Sequence, residues 1–422
     1  MSPIRPTVQV VGTRLDPRAH RVRDFLTRIA QPHELVEEGS PEADALLAAR
    51  GATGVRTPAL IDGERVIGAV TVASLAEAWR MSDPPSRSHY DMAIVGAGPA
   101  GLAAAVYAAS DGLATILIEE DVPGGQASHT SLIENFFGFV DGIGGAELAR
   151  RAGRQAERFG AELILQRGVA EATITAEGAE RLTLAGGHEI TATVVLATPG
   201  MVWRRLPLSG VDELLERGVY YGAGRSETAQ CGDDDVVVVG GGNSAGQAAM
   251  GLAGAGARVT LAVRGERLDH TMSAYLVERI RRQPRIDVRV GTQVTEVHAA
   301  GGRLAGVTLA DAGGASSRRP ARALFICIGG EPRTGWAAAT GVRTDRGGYI
   351  LTGPDLLDAG RRPGGWPLDR DPFPLETSVP GLFAAGDVRS GSTKRVAAAV
   401  GEGAMAVALV HRRLEELAVD DA

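Results

Sequence analysis

The chain has 422 residues, 44% of them hydrophobic, and a formal net charge of -7, enough for two or three globular domains and without the block of Lys and Arg that nucleic acid or an anionic membrane surface would require. No apolar run approaches the ~18 residues of a membrane span, and Arg5 followed by the short stretch Thr7–Val11 lacks the apolar core of a signal peptide, so a cytoplasmic address is expected. Two cysteines, Cys231 and Cys327, suit neither a disulfide framework nor a metal site.

In chain order, the sequence predicts a strand at Thr7–Gly12 and an amphipathic helix over Arg18–Ala30, where Val22, Phe25, Leu26 and Ile29 recur at helical spacing. A strand at His33–Glu38, a helix near Pro41–Ala49, two strands at Ala59–Asp62 and Arg65–Gly68 joined by Asp62-Gly63, and a helix from Ser74 follow. This β-α-β-α-β-β-α order resembles thioredoxin and glutaredoxin domains. Thr57-Pro58 and the hairpin after it are similar to the stretch in which that family carries a cis-proline. The resemblance implies a Cys-x-x-Cys at the start of the first helix, where the helix N-terminus stabilises a thiolate. The matching residues here read Asp16-Pro17-Arg18-Ala19. Without sulfur, residues 1–82 are expected to form a redox-dead domain, either one that docks a protein partner, packs a dimer or places a substrate, or an inert remnant. Residues 83–89, with Pro84-Pro85-Ser86-Arg87-Ser88, read as a linker.

Directly after it, the apolar strand Asp91–Val95 runs into Gly96-Ala97-Gly98-Pro99-Ala100-Gly101 and an Ala-rich helix through Ala109. Glycines there permit a tight turn, close approach of backbone to a pyrophosphate and close helix-to-strand packing. The next strand, Thr115–Ile118, ends in Glu119, placed to accept from a ribose hydroxyl, with Glu120 as the alternative. A second strand-loop-helix unit comprises Val236–Val239, Gly240-Gly241-Gly242-Asn243-Ser244-Ala245 and a helix through Ala253. Two fingerprints mean two dinucleotides. At the end of the following strand, Val259–Val263, stand Arg264 and, nearby, Arg267. Cations there accommodate the 2'-phosphate of NADP, so NADPH is preferred over NADH, with Glu266 opposing that choice.

From Asp91 onward the chain resembles the low-molecular-weight thioredoxin reductases, through Pro123-Gly124-Gly125-Gln126, Glu134-Asn135-Phe136-Phe137-Gly138-Phe139, Ala197-Thr198-Pro199-Gly200 and Val379-Pro380-Gly381-Leu382-Phe383-Ala384-Ala385-Gly386-Asp387. The resemblance implies an α/β flavoprotein of two nested Rossmann-type domains: FAD-binding at 90–205 and 335–422, NAD(P)H-binding at 206–334. It further implies a homodimer and flavin neighbours at Gly125, Gln126, Asn135, Thr198, Gly386 and Asp387. Lys394, the one lysine of the chain, with Arg395 and Val396 would open a helix over Lys394–Val410 aimed at the flavin. The positive potential there would raise its reduction potential. His129 reads as a solvent-facing loop histidine, and residues 352–376 as an insertion that either covers a site or packs against the N-terminal domain.

Thioredoxin reductases carry a Cys-x-x-Cys shortly before the second glycine loop; the corresponding stretch, Gly218–Arg225, has none. Cys231 follows six residues later and is a weak catalytic candidate, while Cys327 sits in an apolar strand, Ala323–Ile328, as a small hydrophobe. The expected activity is therefore transfer of reducing equivalents from NAD(P)H through FAD to an acceptor that is not a protein-borne disulfide. A small molecule is the first choice, a protein carrier such as a ferredoxin the second, and a flavin-dependent regulatory or scaffold role the third.

Overall fold

The computed structural model describes residues 6–14, 16–130, 132–174, 180–222, 228 and 231–420. At the N-terminus, buried Val8, Val10 and Val11 make Val8–Gly12 a strand (β1). The helix Pro17–Arg28 (α1) starts at Asp16, whose carboxylate accepts from the Arg18 backbone N–H at 2.8 Å, with Pro in the first turn. Burial draws the Asp16 carboxyl upward, but the bonds from Arg18 more than offset it and leave it below its ordinary value. His33–Glu37 (β2), Pro41–Ala48 (α2), Ala59–Asp62 (β3), Arg65–Ile67 (β4) and Val72–Ala78 (α3) complete the unit. Its sheet has the order β2-β1-β3-β4, with β1 and β2 parallel and the other pairs antiparallel. The Thr57-Pro58 bond is cis.

Glu162 ties the linker down: it accepts from the Ser86 N–H and hydroxyl, each at 2.7 Å, and from the Tyr90 hydroxyl at 2.5 Å. The chain then enters a seven-stranded sheet built from His89–Val95 (β5), Thr115–Ile118 (β6), Glu162–Ile164 (β7), Val169–Ile174 (β8), Glu180–Leu184 (β9), Glu189–Ala197 (β10) and, from the far end of the chain, Leu382–Ala384. The parallel part is buried on both faces, which is why its strands read as continuous apolar runs. Pro99–Ser110 (α4) packs on it.

Met201–Trp203 (β11) leaves this unit and pairs with Gly330–Pro332, which returns to it. Between them lies a second, all-parallel sheet: Val219–Tyr221 (β12), Asp235–Val239 (β13), Arg258–Ala262 (β14), Ile286–Arg289 (β15) and Ala323–Ile326, ordered with Ala323–Ile326 between β12 and β13. The helix Asn243–Gly254 follows the second glycine loop.

Three expectations change. The strand carrying Cys327 ends one residue before it, at Ile326. The last helix runs from Val396 to Asp420, so Lys394 and Arg395 precede it rather than open it. The insertion at 352–376 packs on that terminal helix. Phe373 and Leu375 join the core between it and α4, and Arg370 pairs with Glu376 at 2.6 Å and Glu416 at 2.5 Å. Among the described residues, no helix is long and apolar enough to cross a membrane.

Candidate functional site

A cleft of about 1510 Å³ opens at the carboxyl ends of both parallel sheets, where open α/β sheets place ligands. It exceeds the roughly 300–1,000 Å³ of a one-ligand pocket. Its floor is the first glycine loop. A side chain at Gly101 would put Cβ 1.9 Å from the Gly96 carbonyl oxygen, and one at Gly96 would put it 2.3 Å from that of Thr198, whereas at Gly98 nothing lies within 4 Å. The outer two glycines let backbone pack on backbone, and the middle one leaves the loop open to the cleft at the N-terminus of α4. That combination fits the pyrophosphate of a dinucleotide. The buried Thr198 hydroxyl lies 2.7 Å from the Gly96 carbonyl, to which it donates, and 3.1 Å from that of Val95. Pro199, which the resemblance to the family's Ala-Thr-Gly turn makes an extra residue, therefore does not displace Thr198 from the loop.

Glu119 is 9% exposed and accepts from the Ala97 N–H at 2.7 Å and the Asp121 N–H at 2.9 Å. Burial pushes its carboxyl above the ordinary value, against those two bonds. Part of its accepting capacity, expected to meet a ribose, thus shapes the loop itself. Glu120 pairs with Arg333 across the cleft rim. Gly125 and Gln126 lie in a 3-10 turn over Gly125–His129, and the Gln126 Nε2 donates to the Met201 carbonyl at 2.8 Å. Asn135, Gly386, Asp387, Lys394, Arg395 and Val396 also line the cleft. Burial raises the Asp387 carboxyl, with Lys394 opposing, and burial lowers the Lys394 ammonium. The Lys394 Nζ donates to the Asp387 carbonyl at 2.5 Å and the Ser392 hydroxyl at 2.8 Å, and lies 4.2 Å from the Tyr349 ring centre. It is thus more than a solvated surface cation.

From the second unit, Asn243 and Ser244 reach the same cleft. Gly240 and Ala245 are buried behind them, because Gly240 packs on the Cys327 carbonyl: a Cβ there would sit 2.2 Å from its oxygen. Gly242 caps the helix. Arg264 and Arg267 are exposed, outside the cleft lining, and Arg267 is held by Asp269 at 2.6 Å.

Sequence reasoning missed several wall residues. His129 is half-buried in the cleft wall, edge-on to Trp203 with ring centres 6.3 Å apart, rather than facing solvent. Arg28 reaches the cleft from α1, and Arg333 from the return connection. Gly222, within the stretch where thioredoxin reductases carry their cysteine pair, faces Trp203. A Cβ there would lie 3.3 Å from that ring, at a backbone φ of +78. Ala223, Gly224 and Arg225 lie outside the described residues. Cys231, 4% exposed, is buried among Val236, Ala253 and Ala257 of the second core.

Two strand-glycine-loop-helix units facing one cleft define an oxidoreductase that pairs two dinucleotides. The pyridine nucleotide-disulphide oxidoreductase family model matches residues 90–403. The chain is 33% identical to thioredoxin reductase of Bacillus subtilis (strain 168) over 330 residues, 78% of this chain and 96% of that protein. The crystal structure of T. acidophilum thioredoxin reductase superposes with a TM-score of 0.68 at 29% identity, covering 77% of this chain and 99% of its own. The bacillithiol disulfide reductase of Bacillus cereus shares the fold at a TM-score of 0.61 and 20% identity, over 77% of this chain and 99% of its own. The chain belongs to the pyridine nucleotide-disulphide oxidoreductase family, which implies FAD and a pyridine nucleotide as its cofactors.

Proposed function

We propose that the protein takes reducing equivalents from NADPH and passes them through FAD to a small-molecule acceptor, with no dithiol of its own between flavin and acceptor. The observation that carries this reading is Gly222: it stands, without sulfur, within the stretch where the resembled reductases carry their cysteine pair, and a Cβ there would already lie 3.3 Å from the Trp203 ring. A sulfur-bearing side chain at this point would press on the indole, which would have to give by a few tenths of an ångström, and would adopt a left-handed backbone that disfavours it. When bound, FAD supplies the step between a two-electron hydride donor and the acceptor. The protein's own residues hold and orient. The N-terminus of α4 and the open Gly98 would receive phosphate, Thr198 and Glu119 fix the loop, and Gln126 and Asp387, which line the cleft, would hold the flavin as the family resemblance implies. Arg264 at the end of β14 supports NADPH over NADH.

The strand order β2-β1-β3-β4 supports reading the N-terminal unit as a thioredoxin-like domain in which Asp16 caps the helix where a cysteine would stand. We assign it a docking role within a cytoplasmic homodimer. Steady-state NADPH oxidation against a panel of quinones, low-molecular-weight disulfides, dioxygen, ferredoxin and oxidised thioredoxin tests the reading. Turnover with one small acceptor is expected. Fast reduction of thioredoxin would overturn it, as would turnover confined to a protein carrier, or flavin reduction without turnover.

A further inference from the structure

Arg28 belongs to the N-terminal unit, yet it lines the cleft. Its side chain is 12% exposed; Nη2 pairs with Asp121 at 2.6 Å, Nε donates to the Ser128 hydroxyl at 3.2 Å, and Asp24 lies 3.8 Å from Nη1. The segment it grips rests on the first glycine loop. The Gly124 N–H donates to the Ala97 carbonyl at 2.7 Å, and a Cβ at Gly125 would be 3.6 Å from the Cα of Gly98. Val122, fully buried, inserts from this segment into the core of the N-terminal unit beside Phe25, Leu26 and Trp79. The contact is therefore a seated one, with an apolar plug and an ion pair side by side.

The charge balance at this rim is unusual for a place that must receive a pyrophosphate. Asp24, Glu119, Glu120 and Asp121 converge there, together with the C-terminal, electronegative end of α1. Arg333 offsets Glu120, and Lys394 is turned to the Asp387 carbonyl. Among the described residues, Arg28 is the cation paired with Asp121. A guanidinium has five N–H donors, and its bonds to Asp121 and Ser128 use two.

We infer that Arg28 completes the FAD site from outside the family's own domains: it compensates the charge at the pyrophosphate loop, so that docking of the N-terminal unit and binding of FAD reinforce one another. The inference rests on the FAD reading above. By linkage, whatever strengthens one event strengthens the other to the same degree.

The test is titration of the FAD-depleted full-length protein with FAD, followed by flavin fluorescence, at several salt concentrations. Wild type must bind; if it does not, the FAD reading itself fails. Arg28→Ala is expected to weaken binding about tenfold and to flatten its salt dependence, and Arg28→Lys to recover most of the loss. Asp121→Asn breaks the same tether but removes a negative charge, so it should bind FAD as well as wild type or better. Equal weakening in Arg28→Ala and Asp121→Asn would reduce Arg28 to a mechanical tether and overturn the inference. So would unchanged affinity in Arg28→Ala. Should Arg28→Ala misfold by circular dichroism, the opposite signs expected of Arg28→Lys, slightly weaker, and Asp121→Asn, not weaker, decide the matter alone.

Discussion

The two glycine loops share a strand-loop-helix frame but differ at their far ends. At the first, the acid after the strand is buried and bonded back to the loop: Glu119 is 9% exposed and holds the Ala97 N–H. The N-terminal unit and the terminal helix close over it, the latter so tightly that a Cβ at Gly403 would lie 2.1 Å from the Ala100 carbonyl oxygen. At the second, the residues after the strand, Arg264, Glu266 and Arg267, are exposed. A loop braced in this way would suit a cofactor that stays through many turnovers, and an exposed strand end a nucleotide that comes and goes. The same motif thus lies under cover in one place and in the open in the other, and what surrounds the loop makes the difference.

The sharpest way to break that contrast is Gly101→Ala. Its Cβ would meet backbone, which cannot step aside as a side chain could. Destabilisation of about 3 kcal/mol or more is expected, read as a drop in melting temperature together with loss of bound flavin. A variant that melts and holds flavin like wild type would show the first loop to be as forgiving as an exposed turn. At the second site the effect should be smaller and confined to one ligand. Arg264→Ala should raise the KM for NADPH about tenfold, the scale of one charge-assisted bond to phosphate, and leave the KM for NADH unchanged. Equal loss with both nucleotides would reject the assignment of Arg264 to the 2'-phosphate. Smaller again is Lys394→Ala, which should lower the flavin midpoint potential in a spectroscopic titration. An unchanged potential would mean that the bonds to Asp387 and Ser392 are the residue's whole role.

The elements that the sequence made legible are those in which local pattern and tertiary demand agree. The run Val236–Val239, bounded by the glycine loop, reads as a strand buried on both faces, and Gly96, Gly98 and Gly101 read as a strand-to-helix turn with Gly101 packing in the first turn of the helix. Thr115–Ile118 appears where it was expected. What stayed hidden depends on pairs distant in sequence. Nothing local to Arg28 points to Asp121, nearly a hundred residues away, and nothing in Trp203 announces that its ring occupies the ground in front of Gly222. His129 misled because a polar loop of mixed composition looks solvated until an aromatic from another strand is set against it. The insertion at 352–376 was ambiguous for the same reason: Arg370 finds Glu416 only after the terminal helix is in place. Helix ends erred where polar residues such as Lys394 can either open a helix or precede it.

The two cysteines carry the smallest expected effect and the clearest sign. Cys327 borders the cleft, but burial pushes its thiol from an ordinary 9.0 up to about 12, the Gly222 backbone N–H opposing only in part. An acid whose folded value is raised adds stability that is complete below the unfolded value and is lost as pH rises from there through the folded one. The neutral Cys327 thiol therefore supports the fold below pH 9.0 and ceases to do so on the way to about 12. Since the thiolate is the reactive form, alkylation of native protein by iodoacetamide should be very slow at neutral pH and accelerate only in strong alkali. Cys231, packed among aliphatic side chains, should be equally protected, and Cys231→Ser should leave NADPH oxidation within about twofold of wild type, as expected where a thiol acts only as a small buried hydrophobe. Rapid labelling of either residue at neutral pH, or loss of turnover in Cys231→Ser, would restore sulfur to the mechanism and undo the distinction drawn from Gly222 and Trp203.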